Sequence, residues 1–98
     1  MDKGQESKNA INIKKHGISF EEAKAVFSDP NAIEVYDFEH STENEDRYIV
    51  IGDIGECLVI VVVYTDRNGT VRIISARKAE HKEEVAYYDH IRKTFGRN

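Results

Sequence analysis

The apolar pattern is densest in the middle of the chain, where seven consecutive apolar residues run from Cys57 to Val63. Five of the seven are valine or isoleucine, whose branched side chains favour β-strands. Because successive strand residues point to opposite faces, an uninterrupted apolar run predicts that both faces are buried. We therefore interpret residues 57–65 as the central strand of a sheet. Cys57, at its start, is expected to be a small buried hydrophobe.

Three further segments have the composition and alternation of strands. They are Ala32–Phe38, Arg47–Ile54 and Thr70–Lys78. Asn68-Gly69 precedes the last of them and is typical of the type I′ turn of a hairpin, which needs two residues with positive φ. In that last strand, strict alternation predicts two opposite sets of side chains. One set is Val71, Ile73, Ser75 and Arg77, and the other is Arg72, Ile74 and Ala76.

Helical patterns precede and follow the strands. Residues 1–6 are expected to be disordered, and Ser7–His16 is predicted to be a helix that ends at Gly17. Ser19 and Glu22 have the spacing of a capping box for a second helix, which ends before Pro30. Residues 80–95 predict a final helix. Its expected apolar stripe is Val85, Tyr88, Ile91 or Arg92, and Phe95.

This order of elements predicts a single α+β domain over residues 1–98. Two N-terminal helices would be followed by a four-stranded antiparallel meander and a C-terminal helix. The single cysteine excludes an intrachain disulfide. The polar N-terminus has no apolar segment typical of a signal peptide, and no stretch has transmembrane length. We therefore expect a cytoplasmic protein with no membrane association.

The acidic charge is concentrated in one third of the chain. The net charge is −4, which alone argues against nucleic-acid binding. Residues 18–46, however, contain nine carboxylates and one lysine, so the two ends of the chain are each slightly basic. A basic face is therefore expected if the ends meet in space. The acidic segment would serve protein contacts or simply be solvated.

No motif predicts a metal or another cofactor. The sequence contains no glycine-rich phosphate loop, CxxC, HExxH or GxSxG motif. His40 and the carboxylates of the acidic loop at 39–46 are a conceivable metal site, but their spacing differs from that of known cation loops. We interpret this segment as a solvated loop.

Several residues have the chemistry needed to act on RNA phosphates. A guanidinium binds two phosphate oxygens at once, and a histidine exchanges a proton near neutral pH. Metal-free cleavage uses such groups when a 2′-hydroxyl attacks the adjacent phosphate. Alternatively, each arginine is a surface charge, and Lys14, Lys15 and His16 stabilise the end of the first helix. The candidates from chemistry alone are Lys15, His16, Arg47, Arg72, Arg77, Tyr87 and Tyr88.

Three segments resemble the BrnT family. Asn12–Ala23 is similar to its N-x-x-K-H-G-[IV]-S-F-E-E-A signature, and Ala25–Pro30 resembles the segment that follows. Arg72–Ala79, with Glu83 and Tyr87 after it, is similar to the C-terminal signature. The resemblance extends over roughly residues 8–88 in order. It implies a RelE-like fold and a ribonuclease toxin of a bacterial type II toxin–antitoxin module.

The resemblance also implies partners and roles. The partner would be a BrnA-like antitoxin with a ribbon-helix-helix DNA-binding domain, and operator DNA would be contacted only through it. RNA cleavage would need no metal. Arg77 would stabilise the pentavalent phosphate, Lys15 and Arg47 would position phosphates, and His16 or a tyrosine would move a proton. Residues that would bind RNA are Lys8, Arg72, Tyr87 and Tyr88.

Two departures from the family pattern reduce the expected RNA affinity. The family usually opens with a Phe-Glu-Trp-Asp-like strand, whereas this chain has Asp2–Gln5 there and no tryptophan. Glu84 stands where the family often has a basic residue. The lost strand would expose a sheet edge able to pair two copies into a homodimer. A second hypothesis is therefore a toxin-like module that binds the antitoxin and assists autorepression, and a third is an unrelated α+β interaction domain.

Overall fold

The computed structural model describes residues 3–95, with side chains from Gln5 onward. Eight elements follow one another along the chain. They are α1 (Lys3–His16), α2 (Phe20–Ala23), a 3₁₀ helix (Lys24–Ser28), β1 (Ile33–Tyr36), β2 (Asp46–Asp53), β3 (Val59–Arg67), β4 (Thr70–Lys78) and α3 (His81–Phe95). The strands form one antiparallel sheet in the order β1-β2-β3-β4. The predicted α+β class is confirmed. No helix among the described residues combines the length and apolar character needed to cross a membrane.

The main core lies between one face of the sheet and the segment formed by α2 and the 3₁₀ helix. This core face consists of side chains in register across the strands: Val50, Ile60, Val62, Tyr64, Ile73 and Ala76. Phe20, Ala23 and Val26 pack against it. Val26 comes so close that a Cβ on Gly52 would lie 2.8 Å from its Cγ2. On the opposite face, Val59 and Val61 are also buried, which confirms that both faces of the central strand are buried.

Side-chain amides attach α1 to the outer edge of β4. Asn12, 5% exposed, donates from Nδ2 to the carbonyls of Ile18 and Ala76 at 2.8 and 2.9 Å. Its Oδ1 accepts from the Ala76 amide at 3.1 Å. Gln5 donates to the carbonyl of Ile73 at 2.7 Å, and Asn9 accepts from the amide of Phe20 at 2.7 Å. These bonds satisfy backbone groups that an additional strand would otherwise pair.

Local signals in the sequence are confirmed at three turns. Gly17 has φ +73° and donates to the carbonyl of Ile13, ending α1. Both hydrogen bonds of the Ser19–Glu22 capping box are present. Asn68 and Gly69 have φ values of +52° and +87°, as the predicted type I′ turn requires.

The N-terminal prediction is wrong for residues 3–6, because α1 already begins at Lys3. Residues 1 and 2 lie outside the described part of the chain. The prediction for Cys57 is also wrong. The strand begins two residues later, at Val59, and Cys57 is exposed in the preceding turn with φ +62°. A turn that needs positive φ at both Glu56 and Cys57 interrupts the apolar run before the sheet begins.

A bulge overturns the predicted alternation in β4. Val63 of β3 pairs with Ser75 of β4, and the next residue, Tyr64, pairs with Ile73. Ile74 is therefore an extra residue in β4 that has no partner in β3. Ile73 and Ala76 therefore both lie on the core face, whereas alternation had placed them on opposite faces. Arg77 follows Ala76 in the strand and therefore lies on the opposite face of the sheet.

The predicted apolar stripe of α3 is wrong as well. Val85, Tyr88 and Phe95 are exposed, and Tyr87 is the buried residue of this helix. The Tyr87 hydroxyl donates to Asp29 Oδ2 at 2.6 Å, and the same oxygen accepts from the Asp53 amide at 2.8 Å. The first two turns of α3 are thus attached at the end of the sheet by a partly buried polar contact that periodicity does not reveal.

Replacing Asn12 by alanine tests the attachment of α1. We expect the free energy of unfolding, measured by urea denaturation, to fall by about 3 kcal/mol, because the amide and carbonyl of Ala76 lose their partners. Asn44→Ala, in an exposed loop, is the matched control and should change it by less than about 0.5 kcal/mol. A loss below about 1 kcal/mol for Asn12→Ala would show that these bonds do not hold the helix in place.

Candidate functional site

Cationic side chains lie on the sheet face opposite the main core. Arg47 on β2 and Arg72 on β4 are both register partners of Thr65 on β3. Side chains paired in this way share one face of a sheet. Arg77 lies on the same face, paired with Val61. We call the surface formed by Arg47, Thr65, Arg72 and Arg77 the cationic face.

Arg47 is the most constrained member of the cationic face. Its backbone amide donates to Ser41 Oγ at 2.9 Å, and its carbonyl accepts from the Asp37 amide at 2.8 Å. Its side-chain Nε is buried and has no hydrogen-bond partner among the described residues. A buried donor without an acceptor costs about 1–3 kcal/mol. An anion on this face would accept from the terminal nitrogens of Arg47 and not from the buried Nε.

A polar groove of about 430 Å³ continues the cationic face toward the β3–β4 turn. Its lining residues are Glu45, Thr65, Arg67, Asn68, Thr70 and Arg72. Arg67 is paired with Glu45 at 3.0 Å, so part of the positive charge here is compensated. The groove lies within the size range of small-ligand sites. Arg77 lies outside it, about 15 Å along β4 from Arg72 by strand geometry.

Arg77 does not present a free guanidinium fork. Its two terminal nitrogens donate to the two carboxylate oxygens of Glu83 at 2.7 and 2.8 Å, and Nη1 also reaches the Lys78 carbonyl at 3.3 Å. Glu83 Oε1 additionally accepts from the Glu80 amide at the start of α3. The pair therefore joins the end of β4 to the first turn of α3, and it uses the donors that would bind a phosphate in bidentate fashion.

The two charges of this pair stabilise one another. Hydrogen bonds from Arg77 outweigh the effect of burial and lower the pKa of Glu83 to about 2. The same contact raises the pKa of Arg77 above its ordinary value. Glu83 is consequently a carboxylate at neutral pH, and it is not available as a proton donor in that range.

The α1 candidates divide between two sides of the helix. Lys8 lies four residues before Asn12 and Lys15 lies three residues after it. Both lysines are therefore neighbours of Asn12 on one flank of the helix. Asn9 and His16 are neighbours of Asn12 on the other flank, and Asn9 bonds to Phe20 at the start of α2. Because α2 covers the core face, helical geometry places His16 toward that side. Lys8 and Lys15 flank the side of β4 that carries Arg77.

The two tyrosine candidates have different environments. Tyr87 is 2% exposed, and burial together with the hydrogen bond to Asp29 raises the pKa of its hydroxyl. Its position gives it a packing role between α3 and the turn after the 3₁₀ helix. Tyr88 is exposed, with its ring centre 5.1 Å from that of Tyr87. It lies at the α3 end of the sheet, away from the groove beside Arg72.

Three functionally relevant residues were not singled out from the sequence. Asn12 belongs to the family motif, but no neighbouring residue in the sequence indicates that its side chain bonds to the edge of a strand. Glu83 belongs to the C-terminal family signature, and its position six residues after Arg77 is the available clue to their ion pair. Asp29 accepts from Tyr87 and from two backbone amides, an arrangement that the Asp29-Pro30 turn does not predict.

Within residues 3–95, no cluster of histidine, cysteine and carboxylate side chains is arranged to hold a metal ion.

The fold and the cationic face define a small α+β protein with a sheet surface suited to an anionic ligand. The sequence model of the family described as the ribonuclease toxin, BrnT, of type II toxin–antitoxin systems matches residues 5–83. The chain therefore belongs to the BrnT family, and the resemblance found in the sequence is confirmed.

One of the matching solved structures shares this fold. It is the 1.1 Å crystal structure of the Brucella abortus ribonuclease toxin BrnT, which matches with a TM-score of 0.58 at 23% sequence identity. The match includes 78% of this chain and 91% of the Brucella chain. A search of curated protein sequences found no significant match.

The Arg77–Glu83 pair predicts a specific acid dependence of stability. The folded-state pKa of Glu83 is about 2, against an ordinary value of 4.5, so its contribution is complete above pH 4.5 and is lost as the pH falls toward 2. Glu83→Gln should lower the free energy of unfolding by about 1–2 kcal/mol at pH 6, a low figure for a charged hydrogen bond because Arg77 is partly exposed. Urea denaturation at several pH values measures this difference.

The difference between wild type and Glu83→Gln should shrink between pH 4.5 and 2. Glu43→Gln, in an exposed loop, is the control and should follow wild type throughout. An unchanged gap across this range would contradict the assignment of the lowered pKa to Glu83.

Proposed function

We propose that this chain is a cytoplasmic endoribonuclease toxin that cleaves RNA without a metal ion and thereby inhibits translation. Family membership supports the toxin and ribonuclease parts of this proposal. A type II system also implies an antitoxin protein. We propose that it is a BrnA-like protein with a ribbon-helix-helix domain, which neutralises the toxin and carries the contact with operator DNA.

The observation that carries the proposal is the strand register that places Arg47 and Arg72 on either side of Thr65, on one face of the sheet. A guanidinium group binds two phosphate oxygens at once, so two arginines side by side favour an anionic ligand. Thr65 and Arg72 also line the polar groove. A phosphodiester bound to these arginines would leave its ribose and base to occupy the groove.

In the proposed reaction, a ribose 2′-hydroxyl attacks the adjacent phosphorus and the 5′-oxygen leaves. The pentavalent phosphate gains negative charge in the transition state, and positioned cations stabilise it. Arg47 and Lys15 would position phosphates, and Arg77 would stabilise the developing charge once Glu83 shares its donors with the substrate. Proton transfer is assigned to His16 or a tyrosine. Because His16 lies on the α2 side of α1, it requires RNA that passes the end of this helix.

The second candidate function is binding without catalysis. The bidentate Arg77–Glu83 pair favours it, because this contact uses the donors that the proposed reaction needs. In that case the protein would bind its antitoxin and assist repression of their operon, with no cleavage of RNA.

Incubation of the purified protein with total RNA in excess EDTA distinguishes the two functions. The proposal predicts cleavage that survives the chelator, and a loss of about 100-fold in rate for Arg47→Gln, the size expected when a group that positions the substrate is lost. Arg92→Gln, an exposed arginine on α3, is the matched control and should cleave at the wild-type rate. An absence of cleavage by the wild-type protein would favour the binding module.

Arg77 needs a paired design, because Arg77→Ala alone leaves the partly buried Glu83 without its partner. The double variant Arg77→Ala/Glu83→Ala removes both charges, and circular dichroism and thermal unfolding establish its fold. The double variant should lose cleavage to a similar extent as Arg47→Gln. Full cleavage by a folded double variant would refute the role of Arg77.

A further inference from the structure

Five aromatic rings form a continuous row on the core-side face of the sheet. Phe38, Tyr36, Tyr48, Tyr64 and Phe27 follow one another from beyond β1, across β2 and β3, to the 3₁₀ helix. Successive ring centres are 4.7, 5.4, 5.2 and 5.1 Å apart. Tyr36, Tyr48 and Tyr64 are register partners, which places them on one face. We call these five residues the aromatic ladder.

The ladder emerges from the core onto the surface. Tyr64, next to Phe27 in the row, is buried, whereas Phe38 is 83% exposed and Phe27 is 45% exposed. Tyr36 and Tyr48 are half-buried. Large aromatic side chains with this exposure are costly on a free surface and are enriched where a protein binds a partner. The ladder lies on the face opposite Arg47 and Arg77, so the proposed RNA surface does not include it.

Carboxylates border the ladder. Tyr36 donates to Asp46 Oδ1 at 3.1 Å, and Tyr64 donates to Glu34. Asp46 and Asp66 are direct register partners on the same face as Tyr48 and Tyr64. Like charges directly opposite each other across two strands repel. Among the described residues, neither Asp46 nor Asp66 belongs to an ion pair.

These carboxylates affect the pKa of the neighbouring Tyr48. Burial raises the pKa of Tyr48, and the charges of Asp46 and Asp66 raise it further. A cation placed between these carboxylates would relieve their repulsion, and its positive group would also lie against an aromatic face. An RNA phosphate would add to the repulsion. The chemistry of the surface therefore favours a cationic polypeptide over RNA.

We propose that the aromatic ladder and its carboxylates bind a segment of the antitoxin in which arginine or lysine alternates with apolar side chains. This inference rests on the proposed toxin–antitoxin function. An arginine of that segment bridges Asp46 and Asp66 and stacks on Tyr48, and an apolar side chain covers Phe38. The negative net charge of this chain argues against a second copy as the occupant. The antitoxin thus has a contact surface separate from the cationic face.

The test measures affinity for the antitoxin, with the protein product of the adjacent reading frame as the probe. Phe38→Ser and the double variant Asp46→Asn/Asp66→Asn should each raise the Kd at least tenfold. Both asparagines keep the acceptor oxygens that Tyr36 and the Gly69 amide use, so the fold should persist. Raising NaCl from 0.1 to 0.5 M should weaken wild-type binding more than binding by the Asp-to-Asn variant.

The matched controls are Phe95→Ser, which removes a 68% exposed phenylalanine from α3, and Glu6→Gln on α1. Both should bind within twofold of wild type. Unchanged affinity in the ladder variants, or no binding of the adjacent-frame protein to wild type, would overturn the proposal. A loss of affinity of Phe38→Ser for a 12-nucleotide RNA would also overturn it. A further contrary result would be a wild-type homodimer in size-exclusion chromatography that Phe38→Ser converts to a monomer without any change in antitoxin affinity.

Cleavage of RNA, assayed in parallel, separates this inference from the proposed enzyme activity. The ladder variants should cleave RNA as wild type does, since their residues lie on the opposite face. If no form of the protein cleaves RNA, the ribonuclease proposal fails, while the affinity measurements still decide whether the ladder binds the antitoxin.

Discussion

The structure depends on the hydrogen bonds that the Asn12 side chain makes with the backbone of Ile18 and Ala76. A primary amide carries donors and an acceptor in one plane, so it pairs with a strand edge much as a peptide group does. Asn12 therefore completes the edge of β4 with a helix in place of a further strand. The same contact fixes the flank of α1 that carries Lys8 and Lys15 beside the sheet.

The two faces of the sheet have opposite chemistry. Register pairing places Arg47 and Arg72 on one face, beside Thr65. The same register places Asp46 and Asp66 on the other face with the aromatic ladder. Alternation along two strands thus separates positive from negative charge across the thickness of a sheet, even though the net charge of the chain is negative. This separation lets an acidic protein present a cationic face.

The Arg77–Glu83 pair connects the cationic face to α3. Its bidentate geometry orients the guanidinium and engages its terminal donors at the same time. A phosphate that binds Arg77 must share or displace Glu83, which also receives a hydrogen bond from the first turn of α3. Substrate binding at Arg77 would therefore be coupled to the position of that helix.

Local sequence signals predicted the parts of this structure that depend on a few neighbouring residues. The Asn68-Gly69 turn, the Ser19 capping box and the strand at Val59–Val63 are of this kind, because backbone conformation and short-range bonds determine them. The β4 bulge at Ile74 and the burial of Tyr87 depend on partners distant in sequence. Tyr87 and Tyr88 are adjacent and chemically equivalent, yet Tyr87 is the one that is buried and donates to Asp29.

The same limit applied to the candidate site. Residue type and the family motif made Arg47, Arg72 and Arg77 candidates for a phosphate site, since such a site requires cations. The ion pair that engages Arg77 and the burial of Arg47 Nε arise from tertiary contacts, which periodicity cannot reveal. The aromatic ladder required the strand register, because its five rings come from three strands, the turn after β1 and the 3₁₀ helix.

The central claim is that RNA binds the face carrying Arg47 and not the face carrying the ladder. The most direct measurement is the change in backbone amide chemical shifts when a 2′-O-methyl oligoribonucleotide, which cannot undergo 2′-hydroxyl attack, is added to ¹⁵N-labelled protein. The account predicts the largest changes at Arg47, Thr65 and Arg72. Changes concentrated at Tyr36, Tyr48 and Asp66 would contradict it.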